Sequence, residues 1–443
     1  MTTPIYDFLK KYADASPLRL HMPGHKGKSL LGVETLDLTE VSGADSLYEA
    51  SGIIKESEDN ASALFRCPTY YSTEGSSQCI RAMLYLAMIS TPTAKPLVLA
   101  ARNAHKSFLS ALALLDINVE WLYGHDSTYL SCHITPHDVE KALLSSSVKP
   151  IGVYLTSPDY LGSLTDIQGI AEICHRHGVL LLVDNAHGAY LKFLNPSLHP
   201  MDLGADLCCD SAHKTLPVLT GGAYLHVSSK VRELNSVSVK HALSLFGSTS
   251  PSYLIMASLD MANAYLDEDY GQKLMRFIPY AEHTKRVLTD HGYVLVGDEP
   301  LKITISTKPY GYDAIHVAKI LEEQGLICEF ADPDFLVMML TPETTLFDLQ
   351  RIQKALLSIP KREPILTAPP RMNKVSCAMS PRDALLSPNE IIPVSLAQGR
   401  ICGAATVGCP PAVPIAVSGE IIDQEAIQAF AYYGMTTCSV VKN

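Results

Sequence analysis

The 443-residue chain is short of basic charge, of aromatic residues and of long apolar runs. Its 35 Lys and Arg against 46 Asp and Glu leave a formal charge of -11, which argues against a grip on nucleic acid or an anionic membrane surface and suits a small cationic substrate. No stretch nears the roughly 20 apolar residues of a membrane span. The start, MTTPIYDFLKKYADAS, has no apolar segment behind a basic one, so no secretion leader is expected. Cys-x-x-Cys pairs are missing too. The 11 cysteines are an odd number, irregularly spaced and mostly set in apolar runs such as ADLCCD and LICEF, which reads as reduced, buried thiols in a cytoplasmic protein. Internal repeats and low-complexity tracts are also lacking.

What is there is a globular chain, 47% hydrophobic and long enough for two or three domains. Residues 1–30 end in HMPGHKGKS and hold too much Pro and Gly for a helix to pass through; they read as an arm. Over 31–295, strands and helices alternate as parallel crossovers require. In the clearest unit, IGVYLTSP is a strand, Asp166 caps a helix with Ile167, Ile170, Ala171 and Cys174 inward, Gly178 stops it, and VLLLVD is the next strand. Residues 296–362 change to a small α+β pattern, and 363–443 form a Pro-rich, basic linker and a C-terminal domain.

Four stretches carry polar residues where strands end or helices begin. In STEGSSQCIRAM, Gly75, Ser76 and Ser77 precede a helix, a seat for phosphate, though an ordinary Ser cap reads the same way. In ARNAHKSF, His105 lies at a strand-to-helix junction, placed to stack on a flat ring or to open a helix. In VDNAHGAY, Asp184 ends a strand and His187 follows three residues on; the acid suits a ring nitrogen or backbone N–H groups equally. In CDSAHKTLPVLTGG, Lys214 stands among Ser211, His213 and Thr215; a lysine bonded as an imine to an aldehyde cofactor is pre-activated, and Ser211 and His213 offer donors for a phosphate. Together these are the parts of a pyridoxal phosphate site.

The chain resembles the Orn/Lys/Arg decarboxylase family of fold type I pyridoxal phosphate enzymes, in the short form without an N-terminal wing domain. Collinear stretches carry the resemblance almost from end to end: HMPGHKG, DLTEVSGADSL, GIIKESEDNASALF, EGSSQCIRAM, ARNAHKS, TSPDYLG, DNAHGAY, DSAHKTLPVLT, STSPSYLIMASLD, MSPRDALL and CPPAVPIAVSGE. It implies an α/β fold: an aspartate aminotransferase-like large domain with a mostly parallel sheet over 31–295, plus smaller α+β C-terminal domains. It implies pyridoxal 5'-phosphate held by Lys214, with Asp184 on the pyridinium, His105 on the ring face, His187 assisting, and Gly75, Ser76, Ser77, Ser211 and His213 at the phosphate. It also implies a homodimer or higher homo-oligomer in which Ser248 and Thr249 reach the partner's phosphate. The implied reaction is decarboxylation of arginine, lysine or ornithine to the amine, for polyamine synthesis. A basic side chain needs an acid, for which Glu420 is the first choice and Asp45 the second.

The chain departs from the family pattern at Glu74, Cys79, Asp159, Ala412 and Ser418. Glu74 and Asp159 add negative charge near the expected site. Cys79 falls inside the helix, where Gly is not required. Rival readings are transamination or β-elimination on the same cofactor, with Arg371, Arg382 or Arg400 gripping a carboxylate, and a non-catalytic paralogue. No metal site is expected, since Pro23 and Gly24 keep His21 and His25 off one helical face.

Overall fold

The computed structural model describes residues 1–125, 127–404, 406–407 and 413–442; Ala412, one of the departures noted above, lies outside the described residues. Close contacts divide the chain into two units, Met1–Ala94 with Cys174–Gln272, and Lys95–Ile173 with Lys273–Asn443. Seven strands belong to the α/β layer: β1 Thr69–Ser72, β2 Leu97–Ala101, β3 Asn118–Leu122, β4 Gly152–Thr156, β5 Leu180–Asp184, β6 Leu207–Asp210 and β7 Ala223–Val227.

In the first unit the strand order is β1-β7-β6-β5. Strands β5 and β6 run parallel, with Asp184 opposite Cys209, whereas β7 is antiparallel to both β6 and β1. Strands β6 and β7 are buried along their whole length, including Asp210 at the end of β6 and His226 within β7, two polar side chains that burial obliges to find partners. Helix α1 (Pro4–Asp14) corrects the reading of residues 1–30 as an arm too rich in Pro and Gly for a helix. Pro4 sits at the first turn, where a missing N–H costs nothing, and Ile5 and Leu9 are buried one turn apart. Helix α2 (Ile53–Phe65) and helix α3 (Ser76–Ser90) complete the part that matters here.

In the second unit the order is β4-β2-β3, all parallel, with helix α4 (Lys106–Leu115) following β2. The parallel pairs outnumber the antiparallel ones in this layer, as the α/β expectation requires. The helix Ile167–Arg176 starts where Asp166 Oδ1 accepts from Gly169 N at 2.9 Å, and it ends before Gly178, whose φ is +63°. Strands β8 Val294–Val296, β9 Lys302–Ser306, β10 Phe330–Ala331 and β11 Phe335–Met339 form an antiparallel sheet ordered β10-β11-β9-β8. It carries the helices Ala314–Glu322 and Leu346–Leu357, the α+β pattern expected of this stretch. Near the end of the chain, β12 Asn389–Pro393 pairs with β15 Thr437–Val441, and β13 Thr406–Val407 with β14 Pro414–Ala416. A core of its own, including Val394, Ile415, Ile422, Phe430 and Val440, holds this last part together.

Candidate active site

Two parallel strand ends organise the first unit's polar residues, because parallel strands deliver their carboxyl ends to one edge. Strand β5 ends on Asp184 and continues through Asn185 and Ala186 to His187; β6 ends on Asp210 and continues through Ser211 into the single turn Ala212–Thr215. Asn185 N donates to Cys209 O at 2.9 Å, which locks the two exits together. Across them, Lys214 Nζ stands 2.9 Å from His187 Nε2. Asp184 is 2% exposed and accepts from Ala186 N at 3.2 Å. The amine, imidazole and carboxylate from two separate stretches are therefore brought to one edge.

The seat at α3 is built by its backbone. Gly75 is the N-cap with φ +69°, a conformation that favours glycine, and it brings no side chain of its own to cap the helix. Ser211 Oγ donates to Ser76 Oγ at 2.8 Å, so the hydroxyl from the lysine stretch meets the one from the helix start. An open helix N-terminus with two hydroxyls beside it suits an anion. Ser77 is the second residue of that turn. Glu74 is directed at Ser248, whose N–H donates to Oε1 at 3.2 Å, and Ser248 and Thr249 are exposed. His213 is turned elsewhere: its Nδ1 lies 3.0 Å from Gly222 O, and burial depresses its pKa. Cys79 is buried in α3, and burial pushes its thiol up to about 12.

Asp45, the second choice for a substrate acid, is otherwise employed. Its carboxylate accepts the backbone N–H groups of Ser46, Ser51, Gly52, Ile54 and Lys55 at 2.8–3.4 Å, closing the start of α2. Burial works to raise its pKa, yet these bonds hold it below the ordinary range. Nothing in the sequence near Asp45 distinguishes such a cap from a free acid, because the donors come from up to ten residues away.

In the second unit, His105 caps α4: Nδ1 accepts from Ser107 N at 3.2 Å, which leaves the hydrogen on Nε2. Just before it, Arg102 is fully buried. It donates to Pro414 O, Ile415 O and Glu420 Oε2 at 3.0–3.1 Å and lies over the Trp121 ring at 5.1 Å. Glu420, the first choice for a substrate acid, is thus already paired, and Oε2 also accepts from Val417 N at 2.8 Å. Its Oε1 is buried and has no hydrogen-bond partner among the described residues. Asp159 is buried too, accepting from Ser131 Oγ at 2.5 Å and Ser163 N at 2.8 Å, and burial raises its pKa. Of the arginines named for a rival carboxylate grip, Arg382 is spent on Ala113 O and Leu114 O, and Arg400 on Glu390 and Val441 O.

Residues 3–295 match the model of the Orn/Lys/Arg decarboxylase family, major domain. The chain belongs to this family. It is 30% identical to an uncharacterised Bacillus subtilis protein, YaaO, over 97% of this chain and 93% of that one. It is also 30% identical to an arginine decarboxylase of the same organism, over 96% and 92%. A lysine decarboxylase structure from Francisella novicida superposes with a TM-score of 0.81 at 18% identity, covering 99% of this chain and 79% of that one. The fold is that of fold type I pyridoxal phosphate enzymes, and the chain is a pyridoxal phosphate-dependent decarboxylase of the basic amino acid class. The residues at the strand edge fit that cofactor: an amine for its aldehyde, a buried carboxylate for its ring nitrogen, and a glycine-led helix end with paired hydroxyls for its phosphate. Asn185 Oδ1 and Thr215 Oγ1, on the same two exits, are buried polar atoms lacking a hydrogen-bond partner among the described residues.

Proposed function

We propose that Lys214 holds the cofactor and that L-arginine is the substrate, converted to agmatine and carbon dioxide. One observation carries the assignment of the lysine: its amine lies 2.9 Å from His187 on the strand edge that also bears Asp184, with Ser211 three residues before it at the open end of α3. Arginine is favoured over lysine and ornithine by the 30% identical relative named for it. Pyridoxal phosphate supplies an aldehyde for amines and an electron sink for the bond that breaks. Asp184 keeps a proton on the ring nitrogen through an ion pair made in a dry setting. Ser76, Ser77 and the first N–H groups of α3, with Gly75 letting the backbone turn, hold the phosphate, and Ser211 joins them. Lys214 returns a proton to the carbon that lost its carboxylate, with His187 beside it to take part in that transfer. His105 presents its ring face, fixed by the Nδ1 bond to Ser107.

For the substrate's far end, Asp45 is withdrawn because its oxygens are consumed by backbone. Glu420 remains through Oε1 alone, since Arg102 already balances its charge. Ser248 and Thr249 are assigned to the partner subunit's cofactor in a homodimer; Leu18, Leu20, Leu30 and Leu31, each 84–87% exposed, support an apolar contact between copies. Among the described residues the cysteines are free of disulfides, which supports a reducing, cytoplasmic setting, and the proposed product, agmatine, gives the reaction its place in polyamine synthesis.

Arginine, lysine and ornithine assayed side by side, with carbon dioxide and amine both measured, test the substrate. Lys214→Ala is expected to abolish turnover, and borohydride treatment followed by peptide mass analysis to place the pyridoxyl group on the Lys214 peptide. Near-native turnover by that variant, or a pyridoxyl group elsewhere, would end the assignment.

A further inference from the structure

The strand edge has a buried anchor that the reaction chemistry does not account for. Asp210, the last residue of β6, is completely buried, as are His199 and His226. Its Oδ2 lies 3.0 Å from His199 Nε2 and 3.1 Å from His226 Nε2, and its Oδ1 accepts from Asn185 Nδ2 at 2.6 Å. One carboxylate thus ties together the residue that follows β5, the end of β6, the middle of β7 and the segment after Phe193.

The protons can be placed from the partners. Met201 N–H donates to His199 Nδ1 at 3.3 Å, so that ring carries its hydrogen on Nε2 and gives it to Asp210. Thr69 Oγ1 donates to Cys67 O at 3.0 Å, so toward His226 Nδ1, 2.9 Å away, it accepts. With that hydroxyl committed to Cys67 O, His226 is placed to donate from both nitrogens, to Thr69 Oγ1 and to Asp210. Burial alone would depress its pKa, but Asp210 raises it; in turn the two rings hold Asp210 below the ordinary carboxylate range against its own burial. The ligand atoms of His199, Cys208 and Asp210 lie within 4.8 Å of one another, as in a metal site. A ligating imidazole donates from its other nitrogen, however, and His199 accepts there. The group is a hydrogen-bonded ion pair.

We propose that Asp210 is a positioning residue for the cofactor: by gripping Asn185 on one side and both imidazoles on the other, it sets the β5 exit bearing Asp184 against the β6 exit bearing Ser211 and Lys214. The proposal rests on the assignment of Lys214 and Asp184 above. Its reach comes from adjacency, since Asp184 precedes Asn185 by one residue and Lys214 follows Asp210 by four. A charged side chain buried without such a task is costly, and here every oxygen is spent on the two exits and their supports.

Asp210→Asn keeps the shape and removes the charge; Asn185 can turn its unpartnered Oδ1 toward the new amide, so the fold has a route to survive. The expected result, after reconstitution with pyridoxal phosphate, is a shifted visible absorption of the lysine-linked cofactor and a dissociation constant raised by about ten-fold to a hundred-fold. Glu58→Gln, which breaks the buried Lys240–Glu58 pair in the same unit, is the control: it should lower the melting temperature and move neither reading. If Asp210→Asn does not fold, His199→Gln is read by the same two measurements and should weaken retention in the same direction. An unshifted band with a dissociation constant within about two-fold of native overturns the proposal, as does an equal change in the control or one metal ion per chain lost with the substitution. If the wild-type protein carries no pyridoxyl group on Lys214, the parent assignment falls and takes this one with it. If it does and Asp210→Asn is native-like, only this one falls.

Discussion

Glu420 carries its charge almost out of water: the side chains of Arg102 and Glu420 are 1% and 4% exposed and meet at 3.0 Å. Taking one partner from such a pair leaves the other charge buried and unbalanced, which costs far more than the pair itself contributes. Glu420→Gln is therefore expected to destabilise the protein by about 3 kcal/mol, read by chemical denaturation. A double replacement of Arg102 and Glu420 by apolar residues should recover most of it. A role in gripping the substrate shows in a different quantity. Native stability with a raised KM for arginine would mean that Oε1 faces the guanidinium and that the ion pair matters little.

At the scale of elements, α1 is fastened by one acid. Ile5 N and Tyr6 N donate to Asp260 Oδ2 at 2.9 and 3.0 Å, and Ser57 Oγ donates to Oδ1 at 2.6 Å. Burial lifts Asp260 from 3.8 to about 6 despite those bonds. Its folded pKa lies above its unfolded one, so between these values the folded chain binds more protons. The contribution is complete below about 3.8 and is lost as pH rises through about 6. Asp260→Asn mimics the neutral form, and its stability relative to the wild type should climb across that window, by about 3 kcal/mol at most. Paired melting curves at several pH values check this; a difference that stays flat or falls would show that the acid is charged and content beneath α1.

For the whole molecule, a net charge of -11 makes two copies repel, so a homodimer has to be held by apolar surface and helped by salt, which screens the repulsion. The exposed leucines at 18, 20, 30 and 31 are the surface to test. Sedimentation equilibrium is expected to give a dimer that tightens with ionic strength, and Leu20→Glu with Leu30→Glu to shift it toward monomer. A wild-type monomer at assay concentration would remove both the contact and the role given to Ser248 and Thr249.

The alternation of strands and helices, the strand ends at Asp184 and the lysine stretch and the glycine-led start of α3 were legible in the chain because each is written in neighbouring residues through periodicity, caps and turn chemistry, and the family was legible through the resemblance of collinear motifs. Helix α1 was hidden by the Pro and Gly of residues 1–30, although Pro4 stands at a first turn, where proline is tolerated. Which acids are spent on partners was settled by the packing of the fold. Glu420 is bound by an arginine 318 residues away, Asp45 by the backbone that folds back over it, and Asp210 by two histidines and an asparagine from separate segments. A carboxylate's partner is chosen by the packing of distant segments, and a buried charge has to find one.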